Sequence, residues 1–275
     1  MRDLKIAAVS MHSETGKIEK NLERTASYVA EAARMGADVI CFPELSVTGY
    51  TLTNPASIYG QWHPDEIIER IVGLSRDKGL IILVGMVDLS ELENPYIAQI
   101  VAGPGGLLGS YRKTHLSPPE KGLYAAGHEI GIFSYLDVSF GVQLCYESHF
   151  PEISTLMALK DAEIIFFPHA SPRGEPEEKM DSWMRHLPSR AFDNGLFVVA
   201  CNQVGETEEG LSFPGVALAL NPAGRVIEAY CGHREKMILV DLRREVLQEI
   251  RNHRMKYFFP NRRPELYGDI SSGSF

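Results

Sequence analysis

Three stretches of the sequence run an apolar segment into a side chain suited to covalent or proton-transfer chemistry. "ADVICFPELSVTGY" delivers Glu44 directly after Pro43, "GLLGSYRKTHLSPPEKGLY" delivers Lys113 followed seven residues later by Glu120, and "GVQLCYESHFPE" delivers Cys145. A thiol is a nucleophile once it loses its proton, a carboxylate accepts such a proton, and an ammonium stabilises developing negative charge. Each residue alone also has a plain structural reading. Cys145 at the end of an apolar strand is either a small packing residue or a nucleophile. Glu44 is either an ordinary loop carboxylate or a ligand-facing group at the carboxyl edge of a strand, and Lys113 is either a surface lysine or part of a site.

The local sequence holds all three at element ends. Pro43 ends its strand, because it has no N–H to give to a ladder. Pro118 and Pro119 stiffen the loop before Glu120. Pro151 suits the first turn of a helix and "VSFGVQLC" reads as a strand, so Cys145 falls near a tight strand-to-helix connection. Unpaired N–H groups at such a connection can lower a thiol's pKa and later hold an oxyanion.

Around these points β-rich runs alternate with amphipathic stretches. Strand "KIAAVSM", helix "KIEKNLERTASYVAEAARM" and strand "ADVICF" come first, with Gly36 where a helix C-cap is expected. A helix over "PDEIIERIVGLSRDK" leads to strand "LIILVGMV", and "YIAQIVA", "GPGG" and "LLGSYR" read as a hairpin. After the Cys145 segment a helix is predicted over 151–160, a strand over "AEIIFFP", a long helix over 177–194 and a strand over "GLFVVACN". Strands "GVALALN", "RVIEAYC" and "KMILVDL" precede a last helix. Helix-linked and hairpin-linked strands together call for mixed sheets with helices packed on them, in one domain spanning 1–275 with 255–275 as a tail.

The bulk composition narrows the class. A 44% hydrophobic content supports a substantial core, and a formal charge of -9 argues against nucleic acid as the main partner. The basic segment "RNHRMKYFFPNRRPELY" reads as a solvated or subunit-contacting tail. No run is long enough to span a bilayer, and "MRDLKIAAVSM" has too short an apolar stretch for a secretory signal, so a cytoplasmic protein with no membrane partner is expected. The four cysteines make no disulfide framework; Cys41 and Cys201 lie in strand-like runs and read as core. Nine histidines include no HExxH or HxH grouping, so no metal site is expected. The acidic stretch "RGEPEEKMD" reads as a loop facing water.

Taken together, Glu44 in "FPELSVTGY", Lys113 in "YRKTHL" and Cys145 in "GVQLCYESHFPE" resemble the Glu-Lys-Cys triad of the nitrilase superfamily of carbon–nitrogen hydrolases. "EKGLYAAGHEIGIF", "LPSRAFDNGLFVVACNQVG" and "RRPELY" extend the likeness over nearly the whole chain. The resemblance implies an α/β fold, a four-layer αββα sandwich with two mixed β-sheets, whose copies pair into a longer layered stack. It implies Cys145 as nucleophile, Glu44 as general base, Lys113 as the cation beside the tetrahedral intermediate, and Glu120 as the second glutamate that positions them. The Lys113 to Glu120 spacing is short compared with several branches of the family.

The chemistry so implied is hydrolysis of a small non-peptide C–N bond, in an amide or N-carbamoyl amine, through a cysteine thioester and without a cofactor. Burial should raise the pKa of Glu44 toward neutrality so that it can act as a base, and Lys113 with the Tyr146 N–H should hold the oxyanion. Alternatives are attack on a nitrile, acyl transfer to an amine, a cysteine hydrolase with His149 or His169 as its base, and a silent binding protein that keeps the fold. Tyr50, Tyr124, Tyr146, Glu147, His169 and Trp183 are candidate substrate-binding residues, and Glu147 would suit a cationic substrate. The resemblance also implies a homodimer or higher homo-oligomer, formed through the helix after the nucleophile and the C-terminal tail, and Tyr257, Phe258 and Phe259 give that tail more aromatic surface than a loose segment should leave in water.

Overall fold

In a computed structural model describing residues 1–90 and 94–272, the chain builds two six-stranded mixed sheets that face each other, with helices on their outer sides. The first half contains β1 (Leu4–Ser10), α1 (Ile18–Arg34), β2 (Val39–Cys41), α2 (Pro64–Lys78), β3 (Ile81–Asp88), β4 (Tyr96–Gly103) and β5 (Gly106–Arg112). The second continues through β6 (Phe133–Tyr135), β7 (Val138–Val142), α3 (Pro151–Leu159), β8 (Ile164–His169), α4 (Pro176–Met184), α5 (Leu187–Asn194) and β9 (Phe197–Asn202). It closes with a small ribbon of β10 (Gly205–Glu206) and β11 (Ser212–Phe213), then β12 (Gly215–Leu220), β13 (Val226–Gly232), β14 (Lys236–Leu242), α6 (Arg244–Arg251) and α7 (Gly268–Ser272).

The strand order is β14-β1-β2-β3-β4-β5 in one sheet and β13-β12-β9-β8-β7-β6 in the other. Each has a parallel centre, β1-β2-β3 or β7-β8-β9, with antiparallel strands outside it. Sequence explains the layering. Strands β4, β8, β9 and β12 are buried along their whole length, as expected of strands covered on both faces. Helix α1 instead buries Ile18, Leu22, Thr25, Val29 and Ala32, a stripe at helical spacing that faces the sheet. The inner faces meet closely enough that the Cys41 and Cys201 sulfurs, from different sheets, lie 4.0 Å apart. Both thiols are buried, as the sequence suggests for core cysteines.

Three sequence expectations need correction. The helix predicted over 177–194 is two helices, α4 and α5, because Pro188 has no N–H for the Met184 carbonyl and its ring crowds that turn. "RGEPEEKMD" is largely the start of α4 rather than a loop, but its acids do face water: Glu175, Glu177, Glu178 and Asp181 are exposed, while Lys179 is half-buried. The strand predicted to reach Cys145 ends at Val142, since the Leu144 N–H turns away from the ladder and donates to the Glu147 side chain at 2.6 Å. The tail forms short helical turns, with the Phe258 ring 5.5 Å from Phe192 on α5.

One glycine decides where Glu44 can sit. Gly85, in the middle of β3, lies directly under the 43–45 loop: a Cβ there would overlap the Leu45 nitrogen and stand 2.8 Å from both the Glu44 carbonyl carbon and the Pro43 oxygen. The loop is clamped to β3 by Val47 N–H to Gly85 O at 2.9 Å and Gly85 N–H to Ser46 Oγ at 3.1 Å. All the obstructing atoms are backbone, so they cannot swing aside. Gly85→Ala should therefore lower the urea unfolding free energy by roughly 1–3 kcal/mol, whereas Gly105→Ala, with open space at its Cβ, should leave it nearly unchanged. Equal midpoints for the two variants would show that the loop does not depend on this approach.

Candidate active site

The parallel centres of the two sheets bring their carboxyl ends to the same edge of the sandwich, and the reactive residues stand there. Glu44 follows β2, Lys113 directly follows β5, Cys145 follows β7, and His169 ends β8. Glu44 is anchored by its backbone, since Gln203 Nε2 donates to its carbonyl at 2.8 Å. Lys113 extends the β5 pairing through its N–H to Ile97 O at 2.9 Å. Glu120 is held by a tight loop in which the Ser117 N–H donates to its Oε2 at 2.7 Å and its own N–H returns to Ser117 O at 3.0 Å.

These anchors converge on one ammonium. Lys113 Nζ, fully buried, donates to Glu44 Oε1 and to Glu120 Oε1, both at 2.8 Å. The free oxygen of Glu44, Oε2, accepts the Ala170 N–H at 3.1 Å, and Tyr50 OH reaches Glu120 Oε1 at 3.5 Å. The short spacing between Lys113 and Glu120 thus permits direct contact. Cys145 is partly accessible beside this cluster, with a positive φ of 42° that is unusual for a residue with a side chain. It opens a single 3-10 turn, Cys145–His149, whose first bond runs from the Glu147 N–H to Leu144 O at 2.9 Å. The N–H groups of Cys145 and Tyr146 precede that bond and have no hydrogen-bond acceptor among the described residues.

The electrostatics follow from one cation among several acids out of water. Burial pushes Glu44 up to about 7; Lys113 opposes the rise and Glu120 adds to it. Burial disfavours charge on Lys113, but Glu44, Glu120 and the Cys145 sulfur outweigh it and hold the ammonium well above the ordinary lysine value. The Cys145 thiol is pushed up, first by burial and then by Glu44, with Lys113 pulling the other way. This corrects the expectation of a lowered thiol pKa. At rest the sulfur keeps its proton, because burial disfavours a thiolate and its negative charge would stand beside two carboxylates that already share the Lys113 ammonium.

The thiol opens into a cavity of about 270 Å³, with Glu120, Tyr50, Tyr146, His169 and Trp183 among its walls. The His169 ring lies 4.3 Å from the Trp183 ring, and its Nδ1 contacts Phe167 O at 2.8 Å. Burial holds His169 well below the usual histidine range, so it is a poor proton acceptor, and desolvation lowers His149 too, although that residue is exposed.

Two of the expected substrate-binding residues stand elsewhere. Tyr124 is buried behind the wall, its hydroxyl donating to Thr51 O at 3.0 Å. Glu147 is fully buried and spends its oxygens on the fold: Oε1 accepts from Tyr111 OH at 2.9 Å, Thr114 N–H at 2.7 Å, Thr114 Oγ1 at 2.6 Å and His115 N–H at 3.3 Å, and Oε2 from Leu144 N–H. Fully buried and with no face on the cavity, Glu147 is not placed to pair with a cationic substrate. It fastens the segment after Lys113 to the turn bearing Cys145, tying one sheet's reactive end to the other's.

Sequence reasoning missed the contribution of the segment after β8. The Ala170 N–H holds Glu44 and also faces the Cys145 sulfur. Ser171, Arg173 and Lys179 line the cavity. Lys179 was detectable as the residue one helical turn before Trp183, on the side of α4 opposite its exposed acids.

Comparison with known proteins agrees with this geometry. The carbon-nitrogen hydrolase family model matches residues 5–252. A protein named nitrilase from Pyrococcus abyssi is 29% identical over 270 residues, covering 96% of this chain and 99% of the relative. A probable nitrilase from Schizosaccharomyces pombe is 30% identical over 276 residues, covering 97% and 98%. The crystal structure of an amidase from Nesterenkonia sp. superposes with a TM-score of 0.82 at 25% identity, covering 97% of this chain and 96% of the other. The αββα sandwich is that of a carbon–nitrogen hydrolase, an enzyme acting on C–N bonds other than peptide bonds. The chain belongs to the carbon–nitrogen hydrolase family, within the nitrilase superfamily.

Exchanging one carboxyl oxygen of Glu147 for an amide NH2 would face at least one of its N–H donors with another donor. Glu147→Gln should cost roughly 1–3 kcal/mol in chemical unfolding and slow iodoacetamide alkylation of Cys145. Unchanged stability and alkylation rate would show that the carboxylate does not hold the turn.

Proposed function

We propose that this enzyme hydrolyses a small amide or N-carbamoyl amine through a thioester on Cys145. The observation that carries the reading is the shared ammonium: Lys113 bonded to both Glu44 and Glu120 beside a partly accessible cysteine. As the Cys145 sulfur attacks the carbonyl carbon, its proton passes to Glu44, whose raised pKa suits it to accept. The transfer moves negative charge from Glu44 to the new oxyanion without adding any to the pocket. Lys113 and the Tyr146 N–H stabilise that oxyanion, a contribution of roughly 3 kcal/mol for one such donor in other hydrolases.

Collapse of the intermediate breaks the C–N bond, and the proton held by Glu44 goes to the departing ammonia or amine. Glu44, again a carboxylate, takes a proton from water as the water attacks the thioester, and the acid leaves with the thiol restored. Glu120 stays bonded to Lys113 and positions it. The size of the cavity favours a short acyl group, and the low basicity of His169 and His149 supports Glu44 over either histidine as the base.

Incubation with small amides or iodoacetamide, followed by peptide mass mapping, tests the reading. Adducts should form on Cys145, and Cys145→Ala should lose both labelling and ammonia release. Labelling confined to Cys41, Cys201 or Cys231, with activity retained in Cys145→Ala, would overturn it.

A further inference from the structure

Two basic side chains, Lys179 and Arg173, line the far wall of the cavity, and among the described residues neither is ion-paired to an acid, so nothing but burial opposes the charge on Lys179. Lys179, half-buried on α4, donates to Ser171 Oγ at 2.8 Å and to Pro172 O at 3.2 Å, both neutral oxygens. An ammonium has three donors, so one remains. Among the described residues Lys179 forms no ion pair, unlike Lys113 in the same region. Arg173 also lines the cavity, exposed and held at φ 74° between Pro172 and Gly174, with its N–H on Ser212 O at 2.8 Å. That backbone state is costly for arginine and fixes where its side chain leaves the loop.

The other titratable groups of the wall do not cancel this charge. Glu120 is committed to Lys113, Tyr50 and the Ser117 N–H. His149, His169 and His186 are all lowered by burial, which favours their neutral form, and a histidine in either form offers no anion to match the wall's cations. Glu147, the one carboxylate that sequence position suggested for a cationic substrate, is sealed in the fold.

We infer that Lys179, assisted by Arg173, binds an anionic group at the end of the substrate remote from the scissile bond, so that the preferred substrates are ω-amides of short dicarboxylic acids. The Ser171 and Pro172 oxygens hold the ammonium in place, so the anion meets a preset donor. The loop bearing them is itself fixed, with Asn202 Oδ1 accepting the Ser171 N–H at 2.8 Å and Asn202 Nδ2 donating to Ser171 O at 3.0 Å. The Ala170 N–H, on the same loop, bonds Glu44 at 3.1 Å, so the anion site and the base share one rigid support. A substrate ending in an amine would bring a third cation to a wall that already has two.

This inference rests on the amide-hydrolase reading, and kinetics with charge-matched substrates separate the two. Succinamate and glutaramate are compared with butyramide and with an amide ending in a primary amine, in the native enzyme, Lys179→Met and Lys179→Glu. The native enzyme should favour the anionic amides in kcat/KM by about tenfold or more, the size of one charge-assisted hydrogen bond. Lys179→Met should erase most of that ratio, and Lys179→Glu should shift it toward the amine-bearing substrate. Equal use of anionic and neutral amides, or a loss in Lys179→Met shared by all substrates, would overturn the inference while leaving the hydrolase intact. If no amide is turned over, the hydrolase reading fails, and protection of Cys145 from iodoacetamide becomes the readout. Glutarate should then protect better than butyramide, and only while Lys179 is present; equal protection would sink the anion site as well.

Discussion

A single ammonium, sealed from water and shared by two carboxylates, is the constraint around which this molecule is arranged. Lys113 is fully buried, and a lone buried cation would cost several kcal/mol. Its two partners come from different segments, Glu44 after β2 and Glu120 from the loop beyond β5, so both must arrive together. That requirement explains the backbone-tight approach over Gly85, the Gln203 amide on the Glu44 carbonyl, and the proline-stiffened loop before Glu120. Removing one acid would unbalance the group rather than merely delete a contact.

The same constraint sets the proton inventory. One positive charge cannot neutralise two carboxylates, so burial leaves Glu44 near the point where it can either hold or release a proton. It also keeps the Cys145 thiol protonated until a substrate is present. In the proposed mechanism nucleophile and base are therefore coupled: the sulfur becomes reactive by passing its proton across the site, not by standing ionised. The second sheet contributes the thiol and the Ala170 N–H, and Glu147 bonds the two halves together through five donors.

Much of this was legible in the sequence, for reasons that also mark the limits. Strands buried on both faces and the α1 stripe have periods that declare themselves, and Pro43 and Pro151 mark where chemistry-bearing side chains leave the elements. The family resemblance supplied the layered sandwich and the convergence of Glu44, Lys113 and Cys145, which no local pattern encodes. What stayed hidden depends on three-dimensional environment. Glu147 has the same residue type whether it faces a ligand or five N–H and O–H donors, and Tyr124 reads the same in front of a wall or behind it. The acidity of Cys145 was misjudged because nearby N–H groups are visible in a turn signature, whereas two facing carboxylates and the loss of water are not. Lys179 was masked by its acidic neighbours until α4 turned them outward.

The proton state of Glu44 tests the account most directly. Carbon-13 NMR of protein labelled at the glutamate carboxyls should show one carboxyl titrating near pH 7, absent in Glu44→Gln. If every glutamate instead titrates in the ordinary range around 4.3, the buried cluster does not set the base, and the account built on it is wrong.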